Sequence, residues 1–396
     1  MSGLGQQFLG SINRDRLTSR LQTLVRTPSE NPPGDEATVA KLVRGYCEDL
    51  GFEVEDHEFD PGRPSVVARL RRGDGPTLTY CSHIDVVPAG DHGLWERPPY
   101  GGEIEDGILY GRGACDAKAP IAAALEAAAV LQETGHEWAG TLELALVADE
   151  EAGGYRGAAE LVEQGICRPD ICIVGEPTSL KVVIAQRGVF WTSLTAKGRA
   201  AHGSAPERGI NAIEHIAEIV QRLDETIPDI EHPILGRPTI NVGTVHGGEK
   251  VNIIPATCVI EIDRRTLPGE TRESILESLN AAIELARKRH PKIDTSFVVN
   301  QHGLPFEMDP ESPVVRHAVS AVDQVTGTPA EMVGFRGASD ARFFAAAGAD
   351  TVVWGPGDIT VAHTAQEFVE LGEVERCAAA YAVAFAGLLQ PEEAGA

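Results

Sequence analysis

The stretch Thr77-Leu78-Thr79-Tyr80-Cys81-Ser82-His83-Ile84-Asp85 reads as a short apolar strand that ends on two ionisable side chains. Four later segments repeat the theme: Gly111-Arg112-Gly113-Ala114-Cys115-Asp116, Asp149-Glu150-Glu151, Gly175-Glu176-Pro177 and Ala362-His363-Thr364. The runs 142–147 and 171–174 are continuously apolar, as expected of strands buried on both faces. Helical spacing fills the gaps. In 38–50, Val39, Leu42, Val43, Tyr46 and Leu50 share a face ahead of Gly51, and the Ala-rich run 119–134 ends before Gly135. Asp106-Gly107 predicts a hairpin over 103–110. Strands alternating with helices predict an α/β fold, a mostly parallel sheet with flanking helices. Ligands bind such sheets at the carboxyl ends of the strands, where the charged residues stand.

The pattern changes after Arg187. A loosely alternating strand over 189–196 is followed by an amphipathic helix over 211–223, with Ile213, Ile216, Ile219 and Val220 expected inward. Strands at 239–245 and 257–262 and a second amphipathic helix at 272–286 complete an α+β segment. The α/β character returns from Pro313, with helices to Val325, over 340–347 and over 374–388, and a strand at 351–353. The expected organisation is a catalytic α/β domain of residues 1–186 and 302–396 interrupted by an inserted α+β domain of residues 187–301.

The chain has 396 residues, 42% hydrophobic and 23% charged, so it can bury a large core and is not expected to be disordered. A net charge of −25 argues against nucleic-acid partners and anionic membranes. No run reaches the length of a membrane helix, and 1–17 lacks a basic segment followed by an apolar one. The seven cysteines form no CxxC pair, so reduced thiols and a cytoplasmic location are expected.

The six carboxylates of these segments, gathered with two histidines on one rim, would repel one another, and a divalent cation removes that cost. Imidazole nitrogen with carboxylate oxygen and no thiolate suits zinc, with cobalt or manganese as substitutes. Gly111-x-Gly113 suggests a dinucleotide loop only superficially: Asp116 stands where the third glycine is needed, and the preceding element is a hairpin.

Together, in this order, the segments resemble the co-catalytic zinc aminoacylase/carboxypeptidase family, which includes acetylornithine deacetylase, succinyl-diaminopimelate desuccinylase, aminoacylase and the glutamate carboxypeptidases. The matching stretches are Ser82-His83-Ile84-Asp85-Val86-Val87-Pro88, Gly111 to Lys118, Asp149-Glu150-Glu151-Ala152-Gly153, Gly175-Glu176-Pro177-Thr178 and Ala362-His363-Thr364. The resemblance implies a zinc-exopeptidase-like catalytic domain with an inserted dimerisation and lid domain, two zinc ions per subunit and a homodimer. It implies that His83, Asp116 and Glu176 hold one ion and that Asp116, Glu151 and His363 hold the other. The Asp85 carboxylate would sit on the far nitrogen of His83 and fix its tautomer, and Glu150 would be the general base. The peptide after Asp116 is cis in the family. His202, in Arg199-Ala200-Ala201-His202-Gly203-Ser204, would donate to the oxyanion across the dimer.

For the substrate carboxylate the resemblance implies Asn252 and Arg265, with Arg187, Ser339 and Arg342 nearby. Arg264 competes with Arg265, because adjacent strand residues face opposite ways; Leu267-Pro268-Gly269 anchors the match on Arg265. Two departures stand out. Ala338 replaces the threonine that desuccinylases carry before Ser-Asp, and Ala205 stands where their dimer-domain motif has a tyrosine. Acetylornithine deacetylases differ at Ser339-Asp340, so neither label fits fully.

The expected reaction is removal of an acyl group from an N-acyl amino acid or a short peptide with a free carboxylate. Glu176 ranks deacylase ahead of dipeptidase or glutamate-type carboxypeptidase, several of which use aspartate there. A non-catalytic binding relative would lack Glu150 or a ligand, and none is missing. An acidic protein that captures an acidic substrate needs local positive charge, which the metal pair with Arg187, Arg265 and Arg342 would supply.

Overall fold

A computed structural model describes residues 3–328 and 330–390. The chain divides into two compact units, one of Met1–Ile184, Met308–Val333 and Ser339–Ala396, the other of Ala185–Glu307 and Gly334–Ala338.

The first unit is built on a mixed sheet. Its strand order is Glu53–Glu58, Pro64–Arg72, Gly140–Val147, Thr77–His83, Ile171–Val174, Asp350–Val353 and Val182–Gln186. The pairs made by Thr77–His83 with both neighbours, and by Ile171–Val174 with Asp350–Val353, are parallel; the margins are antiparallel. The short loop after Glu58 forces the antiparallel margin, because a parallel return needs a long crossover. Helices Lys118–Glu133 and Leu371–Leu388 pack together over the sheet. Alanine fills both, including Ala122, Ala123, Ala127, Ala378, Ala379 and Ala382, so their backbones approach closely. Each fully buried Leu, Val or Phe beside them contributes roughly 1.5–3 kcal/mol.

An aromatic cluster closes this core behind the strand ends. Tyr381 meets Tyr80 edge-on at 5.1 Å and Trp354 at 4.5 Å, and its hydroxyl donates to the Trp354 carbonyl at 2.6 Å. Tyr80 leaves no room beside it for a side chain at position 175, where a Cβ would lie 1.9 Å from the phenolic oxygen. Glycine there lets the strand run straight to Glu176.

The second unit is an antiparallel sheet in the order Thr239–Gly247, Thr257–Thr266, Gly188–Lys197 and Asp294–Gly303. Helices Ala212–Leu223 and Arg272–Arg287 pack together, and the first lies on the sheet. Asn211 caps the first by accepting from the Ile213 and Glu214 N–H groups; Thr271 and Ser274 form a capping box on the second. Leu194, Ile216, Ile219, Ile260, Ile262 and Ile283 form the core. Ile213 and Val220 are not part of it: they are 40% and 37% exposed, contrary to the expectation from the helical pattern. They occupy a separate stripe, rotated away from the one made by Ile216, Ile219 and Leu223.

All seven cysteines are buried free thiols. Among the described residues no helix is long and apolar enough to cross a membrane.

Candidate active site

The parallel strands deliver their charged residues to one rim of the first unit. His83 ends Thr77–His83 and is 1% exposed. Its Nε2 lies 3.1 Å from Asp116 Oδ1, while Asp116 Oδ2 lies 3.2 Å from His363 Nε2. One carboxylate therefore turns each of its oxygens to a different imidazole. His363 Nε2 also lies 3.1 Å from Glu151 Oε2. Ligand atoms of His83, Asp116 and Glu151 fall within 4.8 Å of one another. Glu176 follows strand Ile171–Val174 and is 5% exposed; its charge acts on His83 and Asp116.

The electrostatics describe a cage short of positive charge. Burial first, then the surrounding carboxylates, raise Glu150, Glu151 and Glu176 above the ordinary range. Bonds to Asp116 and then Glu151 push His363 up to about 10. Burial opposes a charged Asp116, yet His363 and His83 outweigh it and hold it below the usual range. The donor set, two imidazoles with carboxylate oxygens and no thiolate, fits one or two divalent ions, which would relieve that repulsion.

Asp85 organises this cage. Its carbonyl oxygen lies 2.9 Å from His83 Nδ1, and its carboxylate is further off at 3.5 Å. The carboxylate accepts instead from the Glu150 N–H at 3.3 Å, the Glu151 N–H at 3.1 Å and Asn31 Nδ2 at 2.8 Å. One residue thus sets the His83 ring and the turn bearing both glutamates. Burial alone would raise its carboxyl, but His83 first, then Asn31 and the Glu151 N–H, hold it low.

Sequence reasoning missed several supports. Buried Glu367 accepts from the Cys115 and Asp116 N–H groups at 3.1 Å each and pairs with Arg112, steadying the loop in which the Asp116–Ala117 peptide is cis. Asp149, at φ 74°, accepts from the Arg156 N–H and pairs with Arg63 at 2.9 Å, and Arg63 also holds Glu36. The one signal for Glu367 was its nearness to His363 in the chain.

Ser339 and Arg342, expected near substrate, are buried at 0% and 3% exposure. Arg342 donates to the Gly153 carbonyl at 2.6 Å, and neighbouring Asp340, also buried, has neither oxygen hydrogen-bonded. This segment packs on the backbone that follows Glu151. Gly154 has φ +70°, and a Cβ there would lie 2.1 Å from Asp340 Oδ1. Gly154→Ala is therefore expected to destabilise the chain by about 2–4 kcal/mol, measured by denaturant unfolding. An unchanged midpoint would show that the segment yields freely.

The remaining candidates lie in the second unit. His202 and Asn252 are exposed and line one open depression of about 420 Å³ with Lys250 and Ile253. Gly203 donates to the Asn252 carbonyl at 2.8 Å, and His202 Nδ1 lies 2.7 Å from Ser204 Oγ. Arg264 points into the helix-covered core and pairs with Glu270, while Arg265 faces the other way, held by Asp263 at 3.1 Å through Nε and Nη2. The two adjacent arginines thus take opposite faces of the strand, as its alternation requires. Arg187 donates through Nη2 to the carbonyls of Leu235 and Arg237.

Comparison with known proteins gives the chain its relatives. The chain is 31% identical over 365 residues to succinyl-diaminopimelate desuccinylase of Methylobacillus flagellatus, covering 90% of this chain and 95% of that one. It is 34% identical over 342 residues to acetylornithine deacetylase of Pectobacterium carotovorum, covering 84% and 86%. Among solved structures, aminopeptidase PepT of Bacillus cereus aligns with TM-score 0.80 at 25% identity, covering 95% of this chain and 99% of that one. Residues 80–386 match the family described as Peptidase family M20/M25/M40, and the chain belongs to that family.

Proposed function

We propose that this protein removes the acyl group from an N-acyl amino acid that carries a free carboxylate. It does so with two zinc ions per subunit, for which cobalt or manganese can substitute, as a cytoplasmic homodimer. The observation that carries the reading is Asp116, with one oxygen toward His83 and the other toward His363, beside Glu151. The desuccinylase and deacetylase relatives, similar over most of both chains, support the deacylase branch.

His83, Asp116 and Glu176 would hold one ion, and Asp116, Glu151 and His363 the other. When bound, the ions supply a Lewis acid for the scissile carbonyl. Glu150 takes the proton of the attacking water and delivers it to the departing amine; its burial beside Glu176, Asp340 and Glu151 suits it to hold that proton. Asp85 keeps this base in register with His83. His202 of the partner subunit donates to the oxyanion. Asn252, Arg187 and Arg265 take the substrate carboxylate, for which a guanidinium offers two parallel N–H donors. Ser339 and Arg342 support the acidic turn from behind.

The test is a panel of N-acetyl and N-succinyl amino acids and dipeptides, assayed with added zinc or cobalt. At least one acylated amino acid is expected to exceed every dipeptide in kcat/KM by about tenfold or more. The reverse order would transfer the assignment to a dipeptidase or glutamate-type carboxypeptidase.

A further inference from the structure

The helix Ala212–Leu223 carries a histidine that its own unit leaves unsatisfied. His215 is 5% exposed, and its Nδ1 is buried with no hydrogen-bond partner among the described residues. Buried polar groups are almost always bonded to protein, water or ligand. His290, just past the end of Arg272–Arg287, sets its ring centre 5.5 Å from that of His215. Both histidines line one open pocket of about 310 Å³ in the second unit.

The rest of the lining states the chemistry. Arg289 and Lys292 stand on the rim, and Ile210, Ile254 and Pro291 supply apolar wall. Glu214 also lines the pocket, and Asn211 Nδ2 donates to it at 3.0 Å. Arg289 pairs with Glu218, which Arg222 also holds, whereas exposed Lys292 makes no ion pair among the described residues. What is left over is hydrogen-bond donors rather than net charge: an imidazole N–H and an ammonium with no acceptor of their own. A metal ion suits the place poorly, since two cationic side chains flank it and, among the described residues, no third ligand gathers with the two imidazoles. The apolar wall favours an anion that carries hydrocarbon over a bare inorganic one.

The pocket backs onto the segment that carries His202. The Ile254 N–H donates to the Ala201 carbonyl at 2.8 Å, and Arg199 and Ile210 exchange two backbone bonds at 2.9 Å. Ile253 lines the depression shared by His202 and Asn252, while Ile254 lines the His215 pocket, so consecutive residues serve the two hollows. We infer that the second unit carries a binding site for a small organic anion, a carboxylate on a short hydrocarbon chain, held between His215 and Lys292 behind the His202 segment. None of its residues belongs to the five metal-site segments, and binding there stands apart from the reaction proposed above.

The experiment is an NMR titration of the zinc-loaded full chain labelled in its histidine rings, with butyrate, its uncharged isostere butyramide and inorganic phosphate as probes. Signals of His215 and His290, assigned by their loss in His215→Phe and His290→Phe, report the pocket; those of His83 and His363 report the metal centre. Butyrate is expected to shift the His215 and His290 signals saturably, and butyramide and phosphate to bind about tenfold more weakly. Lys292→Ala, at an exposed position, is expected to weaken butyrate by about threefold or more. Read at His290, His215→Asn is expected to keep more of the binding than His215→Phe, because its amide returns a donor near Nδ1. Shifts confined to His83 and His363, an equal response to butyramide or to phosphate, or a response indifferent to Lys292→Ala would overturn the inference. His290 and the rim variant decide the outcome even where His215→Phe does not fold.

Discussion

Glu150→Gln is expected to lower kcat by about 10²–10⁴-fold while the chain keeps its bound metal. The argument is geometric before it is electrostatic. Glu150 and Glu151 are adjacent, yet the turn gives them different partners. Glu151 reaches His363 at 3.1 Å, whereas no hydrogen bond holds the Glu150 carboxyl among the described residues. Its backbone N–H is fixed by Asp85, so the side chain is placed without being neutralised. A half-buried carboxyl whose proton affinity is raised by desolvation and then by Glu176, Asp340 and Glu151 suits a group that must accept a proton and then release it. Glutamine preserves the shape and the backbone bond to Asp85 but cannot carry the proton. Steady-state kinetics on the best acylated substrate reads the effect, and an unchanged KM would place the loss in the chemical step. Near-normal turnover would remove Glu150 from the role of base.

The second large effect is expected at Asp116. Asp116→Asn replaces one acceptor oxygen by an amide N–H₂ that cannot serve a cation, between two imidazoles 3.1 and 3.2 Å away. Loss of groups that merely support a metal ligand costs about 10–100-fold in affinity. A carboxylate facing both histidines should cost more, and activity should fall below one part in about a thousand at limiting zinc. Excess zinc should recover little of it if Asp116 serves both ions as proposed. Circular dichroism controls for folding: Asp116 is held through its backbone N–H by Glu367, a bond the substitution leaves in place.

Much of this site is legible in the sequence because strand ends are. Once 77–83 and 171–174 are read as buried strands, His83 and Glu176 must emerge on one rim, and the segments at Asp116, Glu151 and His363 supply the rest. The supports are not legible, since they come from remote parts of the chain. Glu367 reaches back to Asp116, Arg63 to Asp149 and Asp340 to Gly154, and no spacing encodes those contacts. Helical periodicity also has a blind spot. It identified the helix Ala212–Leu223 but assigned Ile213 and Val220 to the core, because an apolar pattern wider than one face does not say which stripe is covered. The return of Gly334–Ala338 to the second unit is similarly silent in the sequence, and it is this return that gives the Arg187 N–H its acceptor, the Phe335 carbonyl.

The central claim is that these residues form a two-ion centre bridged by Asp116. Metal content of the purified, zinc-reconstituted chain, measured by plasma mass spectrometry alongside hydrolysis of an acylated amino acid, tests it most directly. The expected result is two ions per chain in the native protein and in Glu150→Gln, fewer than one in Asp116→Asn, and loss of native activity on chelation. A native chain that binds no zinc, or that hydrolyses its substrate undiminished after its metal has been stripped, would contradict the account.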